Sequence, residues 1–155
     1  MNSKYRIDTI DYAIANDFLQ RHHYLSGKSK GFLGKIYYGL FSENYEIVGV
    51  CVFAGVSAIE TLIGAFDGFN KKSSQQGFWE LTRLAMDDNK KEKNLTSWFV
   101  SRCIRKLRCS EDVRAIISYA DSDYHHGYIY QATNFKYYGL TAPKNDFYVA
   151  IPGGV

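Results

Sequence analysis

AIISYADSDYHHGYIYQATNFKYYG, residues 115–139, is the stretch whose reading decides the fold. Ala115 to Ser118 are small or β-branched and Tyr119 is aromatic, a composition suited to a buried strand. Asp121 follows where such a strand surfaces. Ligands of mixed α/β sheets gather at the carboxyl ends of strands, so this strand is expected to deliver a carboxylate to a pocket. Gly127 to Phe135 predicts a short helix with Ile129, Ala132 and Thr133 facing inward and Tyr130 one turn from Asn134. Phe135 then begins another strand.

Working outward, the preceding helix starts around Asn94 to Ser97. Phe99, Val100, Cys103, Ile104 and Leu107 form its apolar stripe, and Arg102, Arg105, Lys106 and Arg108 give it a basic outer surface. Phe78 to Met86, FWELTRLAM, predicts a strand with Trp79, Leu81 and Arg83 on one face and Phe78, Glu80, Thr82 and Leu84 on the other. Tyr5 to Ile10 predicts an edge strand. Asp11 caps a helix whose apolar face is Ile14, Phe18 and Leu19. Strands over Ile36 to Ser42 and Glu46 to Val56 are joined by a turn at Glu43 to Tyr45, and Ser57 to Phe66 predicts a short helix. Ser26 to Lys35 and Asp67 to Gly77 read as exposed loops. The expected order is β-α-β-β-(α)-β-α-β-α-β-β in one α/β domain spanning residues 1–155.

With 155 residues and 46% hydrophobic content, the chain can build one core that buries about two-thirds of its unfolded surface. Val48 to Val56, the longest apolar run, is too short for a membrane span or a secretory h-region, so a soluble, intracellular protein is expected. Cys51, Cys103 and Cys109 lack metal-knuckle spacing and predict no disulfide framework. A net charge of +3 does not by itself argue for nucleic acid. Thirteen Tyr exceed what a core needs; most suit half-exposed strands, and the excess suits a pocket for planar groups.

Arg83 sits within an otherwise apolar strand, so it must be paired or line a cavity, with Glu80 and Asp121 as candidate partners. His22-His23 and His125-His126 are adjacent pairs. One His from each, such as His23 and His126, with Asp121 or Asp123 would make a two-His, one-carboxylate iron set; a general base or a surface role is the alternative. Lys28, Lys30 and Lys35 on one loop, and Lys71 and Lys72 on another, are candidate phosphate contacts for DNA.

The strand, the short helix carrying Tyr130, the Asn-Phe pair and the next strand resemble the C-terminal half of the acyl-CoA-dependent N-acetyltransferase (GNAT) superfamily. The element order matches that superfamily as well. The resemblance implies a mixed, mostly antiparallel central sheet flanked by helices, with Tyr130 protonating the departing thiolate of coenzyme A. It also implies coenzyme contacts from Leu84 and Met86 and from Asn94, Thr96 and Ser97 at the helix start. The glycines of the usual pyrophosphate turn are replaced by Lys90-Lys91-Glu92-Lys93-Asn94, and Asn94 or Thr96 serves equally as a plain N-cap.

A further resemblance is carried by His23-Tyr24-x-Ser-Gly, Glu80-Leu-Thr-Arg-Leu, Asn94-x-Thr-Ser-Trp-Phe-x-Ser-Arg, Ile117-Ser-Tyr-Ala-Asp121 and Gly127-x-Ile-Tyr-Gln-Ala132. These motifs, in this order, are similar to the Mom family of phage DNA-modification proteins. The resemblance implies a cytoplasmic phage or prophage enzyme that converts adenine N6 in double-stranded DNA to a carbamoylmethyl derivative, which protects the DNA from host restriction. Functional positions fall on His23, Tyr24, Arg83, Asp121 and Tyr130. The chain departs from the pattern between Asp121 and Tyr130, which is a residue short and contains His125-His126, and it stops soon after the last strand. The implied donor is acetyl-CoA or a glycine-derived group, with iron as a further candidate and a homodimer as a candidate assembly. A conventional acetyltransferase for a small amine or protein and a non-catalytic DNA- or protein-binding domain are the rival readings.

Overall fold

The computed structural model describes residues 4–24, 34–121, 123, 126–141 and 145–152. β1 (Tyr5–Thr9) leads into α1 (Tyr12–His22), then β2 (Ile36–Ser42), β3 (Ile47–Gly55), α2 (Ile59–Ala65) and β4 (Phe78–Met86). α3 (Leu95–Ser110), β5 (Ala115–Asp121), α4 (Tyr128–Ala132), β6 (Lys136–Thr141) and β7 (Asn145–Ala150) complete the chain. The seven strands form one sheet in the order β1-β2-β3-β4-β5-β7-β6. Every neighbouring pair is antiparallel except β4 and β5. This is the mixed, mostly antiparallel arrangement that the resemblance implied.

β3 runs through the middle of the sheet, and the alternation of its side chains builds a core on both faces. Cys51 and Phe53 meet Phe99, Cys103 and Leu107 of α3, whereas Val50 and Val52 meet Ala15, Phe18 and Leu19 of α1. Leu62 of α2 packs on Phe78, Ile117 and Phe147 on the α1 side. Fully burying each such Leu, Ile or Phe contributes about 1.5–3 kcal/mol, so both helix layers are held by the sheet. The α1 backbone begins as expected, with Asp11 Oδ1 accepting from the Ile14 amide at 2.9 Å. Ile14 itself is 47% exposed, contrary to the expected apolar face, because the buried stripe is Ala15, Phe18 and Leu19. Cys51 and Cys103 are buried thiols and Cys109 is exposed. Among the described residues, no helix is long and apolar enough to cross a membrane.

The expected face assignment of β4 is corrected by a bulge. Val52 pairs with Arg83 and Phe53 with Leu81, which leaves Thr82 as an extra residue opposite β3. A bulge inserts one residue and reverses the alternation beyond it. Trp79 and Leu81 therefore share the α3 face with Leu84 and Met86, while Arg83 joins Glu80 and Ala85 on the α1 and α2 face.

Candidate active site

β4 and β5 are paired only from Phe78 to Glu80 against Ala115 to Ile117. Ser118 Oγ donates to the Leu81 carbonyl at 3.0 Å just beyond the last pair. Past that point the strands part, since the bulge at Thr82 bends β4 away and β5 continues along β7. The opening is a cavity of about 430 Å³, within the usual range for small-molecule sites.

The cavity is lined from both faces of the sheet. His23 and Tyr24 at the end of α1 reach it together with Arg83 and Tyr119. Leu84, Met86, Tyr130 and Thr96, the last in the first turn of α3, line it as well, and His126 lies at its edge. Four of the five expected catalytic positions thus converge. Asp121 does not line the cavity; its carboxylate accepts from the Asp123 amide at 3.1 Å and shapes the turn after β5. The expected delivery of a carboxylate by β5 is corrected accordingly, and Tyr119 is the β5 side chain that reaches the cavity.

Arg83 is half-buried, and its Nη1 donates to the Thr82 carbonyl at 2.7 Å. Among the described residues it has no carboxylate partner. Glu80, one expected partner, is instead occupied by the Ser57 amide at 3.2 Å and the Ser57 hydroxyl at 3.1 Å. A guanidinium without an internal counter-charge at a cavity wall is suited to a carbonyl, carboxylate or phosphate of a ligand.

Tyr130 is buried at 7% exposure beneath Phe135 and Tyr148, and its hydroxyl donates to the Tyr119 carbonyl at 3.4 Å. Burial pushes its phenol up to about 12, so it keeps its proton throughout the physiological range. The helix that seats it starts at Gly127, which has φ +69°. A Cβ there would lie 2.2 Å from the Tyr148 hydroxyl, which itself donates to the His126 carbonyl at 3.2 Å. Only glycine fits this approach.

His23 is buried, its amide donates to the Leu19 carbonyl at 2.9 Å, and its ring stacks on Tyr24 at 4.5 Å between centroids. Tyr119 bonds Thr61 of α2 at 2.9 Å between oxygens and stacks on Phe147. It was not singled out in the sequence, where it reads as one more strand aromatic. The metal candidates do not assemble. Among the described residues, no three His, Cys, Asp or Glu side chains converge to hold an ion, so the iron set of His23, Asp121 and His126 does not fit.

The start of α3 carries the second feature of the site. Asn94 occupies the N-cap with φ 63°, a left-handed conformation that Asn tolerates and that replaces the missing glycines. Its side chain caps nothing, and Ser97 Oγ turns back to the Asn94 carbonyl at 3.0 Å. Among the described residues the Thr96 hydroxyl is buried without a hydrogen-bond partner, in a first turn whose Leu95 amide already donates to the Glu92 carbonyl at 3.1 Å. An orphaned hydroxyl at a helix N-terminus fits an anionic phosphate of an acyl-CoA. Of the lysines in the preceding turn, Lys90 is committed to Glu46 at 2.6 Å and Lys91 lines the cavity. Lys35 lies at the opposite end of the sheet, its amide bonded to Phe53, and Lys71 and Lys72 belong to the loop that enters β4 at that same end. Lys28, Lys30 and His125 fall outside the described residues.

This architecture, with two central strands parting around a cavity beside a helix N-terminus, is the acyl-CoA N-acyltransferase (GNAT) fold. A Bacillus subtilis acetyltransferase in complex with CoA superposes with a TM-score of 0.67 at 14% identity, covering 96% of this chain and 99% of that one. A ribosomal-protein-S5-alanine acetyltransferase from Vibrio fischeri gives 0.65 at 12%, covering 97% and 94%. An Escherichia coli GNAT family N-acetyltransferase in complex with CoA gives 0.63 at 15%, covering 96% and 81%. The sequence profile of the Mom protein family matches residues 4–150, and the chain belongs to that family. Among curated proteins none matches it.

Proposed function

We propose that the protein is a transferase that modifies adenine N6 in double-stranded DNA, placing a carbamoylmethyl group there. The observation that carries this reading is the convergence of His23, Tyr24, Arg83 and Tyr130 on one cavity in a chain of the Mom family. The N6 lone pair is delocalised and lies inside the duplex, so the base must be flipped out and held by stacking. Tyr24 and Tyr119 supply aromatic faces on the α1 side, and Arg83 holds a carbonyl or phosphate oxygen of the reacting group. His23 takes the N6 proton as the new bond to carbon forms, a role Asp121 cannot fill from outside the cavity.

Thr96 and the α3 amides would hold the phosphates of an acyl-CoA, with Leu84 and Met86 beside its pantetheine arm. When bound, that group supplies an activated carbonyl carbon. Tyr130, held near 12, would donate a hydrogen bond to a departing thiolate. Complete proton transfer to a thiolate of ordinary basicity is uphill by roughly 5 kcal/mol. A thioester carbonyl alone yields an amide, whereas a carbamoylmethyl product has a methylene at N6. The product also carries a terminal amide nitrogen that acyl transfer does not supply. A glycine-derived donor, which brings the methylene and the nitrogen together, is therefore part of this reading, and acyl-CoA chemistry alone belongs to conventional acetylation.

The orphaned Thr96 hydroxyl also favours a second reading, conventional acetylation of another amine. Mass spectrometry of nucleosides from the DNA of expressing cells separates the two. A carbamoylmethyl mass on deoxyadenosine is expected. Unmodified nucleosides at good expression, with tight acetyl-CoA binding and acetylation of a non-DNA amine, would replace the first reading by the second.

A further inference from the structure

Outside the cavity, the molecule carries a second and larger concavity of about 780 Å³ between α3 and the edge strand β1. Its floor is aromatic, with Tyr5 and Trp98 at 6.4 Å between centroids and Tyr38 beneath. Its wall is cationic, with Arg102, Arg105 and Lys106 projecting from α3. Arg102 rests over the Trp98 ring at 5.6 Å. Among the described residues, the one carboxylate bonded to a lining residue is that of Glu92, which accepts from the Tyr5 hydroxyl at 2.9 Å and is paired with Lys4. None of the three α3 cations has an ion-pair partner among those residues.

Lys71, Lys72, Lys93, Arg108 and Arg114 also lack an ion pair among the described residues, but none of them lines this groove. Other cations are neutralised. Lys4, Arg6, Arg21 and Lys90 are each matched to an acidic side chain. Positive charge is left unneutralised along one concave strip, where it attracts an extended anion. We propose that this groove binds the sugar–phosphate backbone of the DNA flanking the modified base, an inference that rests on the DNA reading above.

Helix geometry supports an extended occupant over a compact one. Trp98, Arg102, Arg105 and Lys106 follow spacings of four, three and one, so they share one side of α3. The cations form a row and do not converge on a point. Measured along the helix axis, Arg102 and Lys106 lie about 9 and 15 Å beyond Thr96. At about 3.4 Å per nucleotide in one strand, the row meets phosphates roughly three to four nucleotides from the position facing the cavity. The rings of Tyr5 and Trp98 give the sugars an apolar surface to rest on.

Equilibrium binding of a duplex oligonucleotide, followed by fluorescence anisotropy against salt, tests this with two charge-matched variants. Arg102→Gln/Arg105→Gln/Lys106→Gln removes three unpaired cations, and Lys4→Gln/Arg6→Gln/Arg21→Gln removes three that are already paired. The groove variant is expected to bind at least about tenfold more weakly near 0.1 M salt, with the log–log salt slope reduced by about 2 to 3. The paired-cation variant is expected to keep its slope near that of the wild type. Matching far-UV circular dichroism and melting temperatures establish that both are folded. An unchanged slope in the folded groove variant, with wild type that still binds and modifies DNA, overturns the groove assignment and leaves the DNA reading standing. Wild-type protein that neither binds nor modifies duplex DNA overturns both.

Discussion

The two ends of β4 differ in one respect that accounts for the site. Trp79 and Glu80 are paired on both edges, to β3 and β5, whereas Arg83 to Met86 are paired only with β3. At the closed end the side chains fill a dry core of Phe78, Ile117 and Phe147. At the open end the same strand borders a cavity that holds a buried phenol and, among the described residues, a guanidinium with no carboxylate partner and a hydroxyl with no hydrogen bond. A single extra residue, Thr82, lies between the two regimes. The lesson is that stability and chemistry are segregated along one strand, so substitutions at its two ends have separable consequences.

The largest expected effect breaks the closed end. Ile117→Ala deletes fully buried atoms and is expected to cost about 2–5 kcal/mol in a denaturant melt. The molecules that stay folded retain their modification activity. An Ile117→Ala protein with unchanged stability would show that the closed end is not the structural half.

At the open end, Tyr130 supplies a pH signature. Its phenol is raised from the ordinary 10 to about 12, so the folded state holds a proton that the unfolded chain gives up between those values. Its contribution is intact below pH 10 and is lost as pH climbs toward 12, at about 1.4 kcal/mol per unit. Tyr130→Phe is expected to remove this component from the alkaline melting curve while impairing transfer. An identical alkaline slope in the variant would place the buried proton elsewhere.

Thr96 gives a smaller and more pointed contrast. Thr96→Val removes a buried hydroxyl that has no partner, so the ligand-free protein is expected to be unchanged or stabilised by up to about 1 kcal/mol. Acyl-CoA binding measured by calorimetry is expected to weaken by about tenfold, the worth of one hydrogen bond to a charged group. Destabilisation together with unaltered binding would make Thr96 a packing residue.

Much of this arrangement was legible in the sequence. The stripe of Phe99, Val100, Cys103 and Leu107 declared α3 because helical periodicity survives any tertiary context that buries one face. The strand at Ala115 and the element order were equally readable, and so was the existence of the Tyr130 helix, but Ala132, expected to face inward, is exposed and Tyr130 is the buried side chain. What escaped was set by interruptions of period. A bulge has no compositional mark, so Arg83 was assigned to the face of Leu81 when it lies on the other. Asp121 lies at the end of β5 as expected, yet a local turn captures its carboxylate, a choice that depends on backbone geometry two residues on. Ser57 as the partner of Glu80, and the empty hydrogen-bonding capacity of Thr96, depend on long-range packing that no local pattern encodes. Arg83 was legible as a charge in an apolar strand, whereas the joint placement of His23, Tyr24 and Tyr130 with it came from motif resemblance, since nothing in their spacing alone brings them together.

Arg83→Gln is the most direct test of the central claim that the open end of β4 is where adenine is modified. The substitution removes a charge that has no carboxylate partner among the described residues, so the melting temperature should stay within a few degrees of wild type. Deoxyadenosine from cells expressing wild type should carry the carbamoylmethyl mass, and deoxyadenosine from cells expressing Arg83→Gln at the same level should carry at least about a hundredfold less, the loss of roughly 3 kcal/mol of transition-state stabilisation. Equal modification by the two proteins would contradict the account.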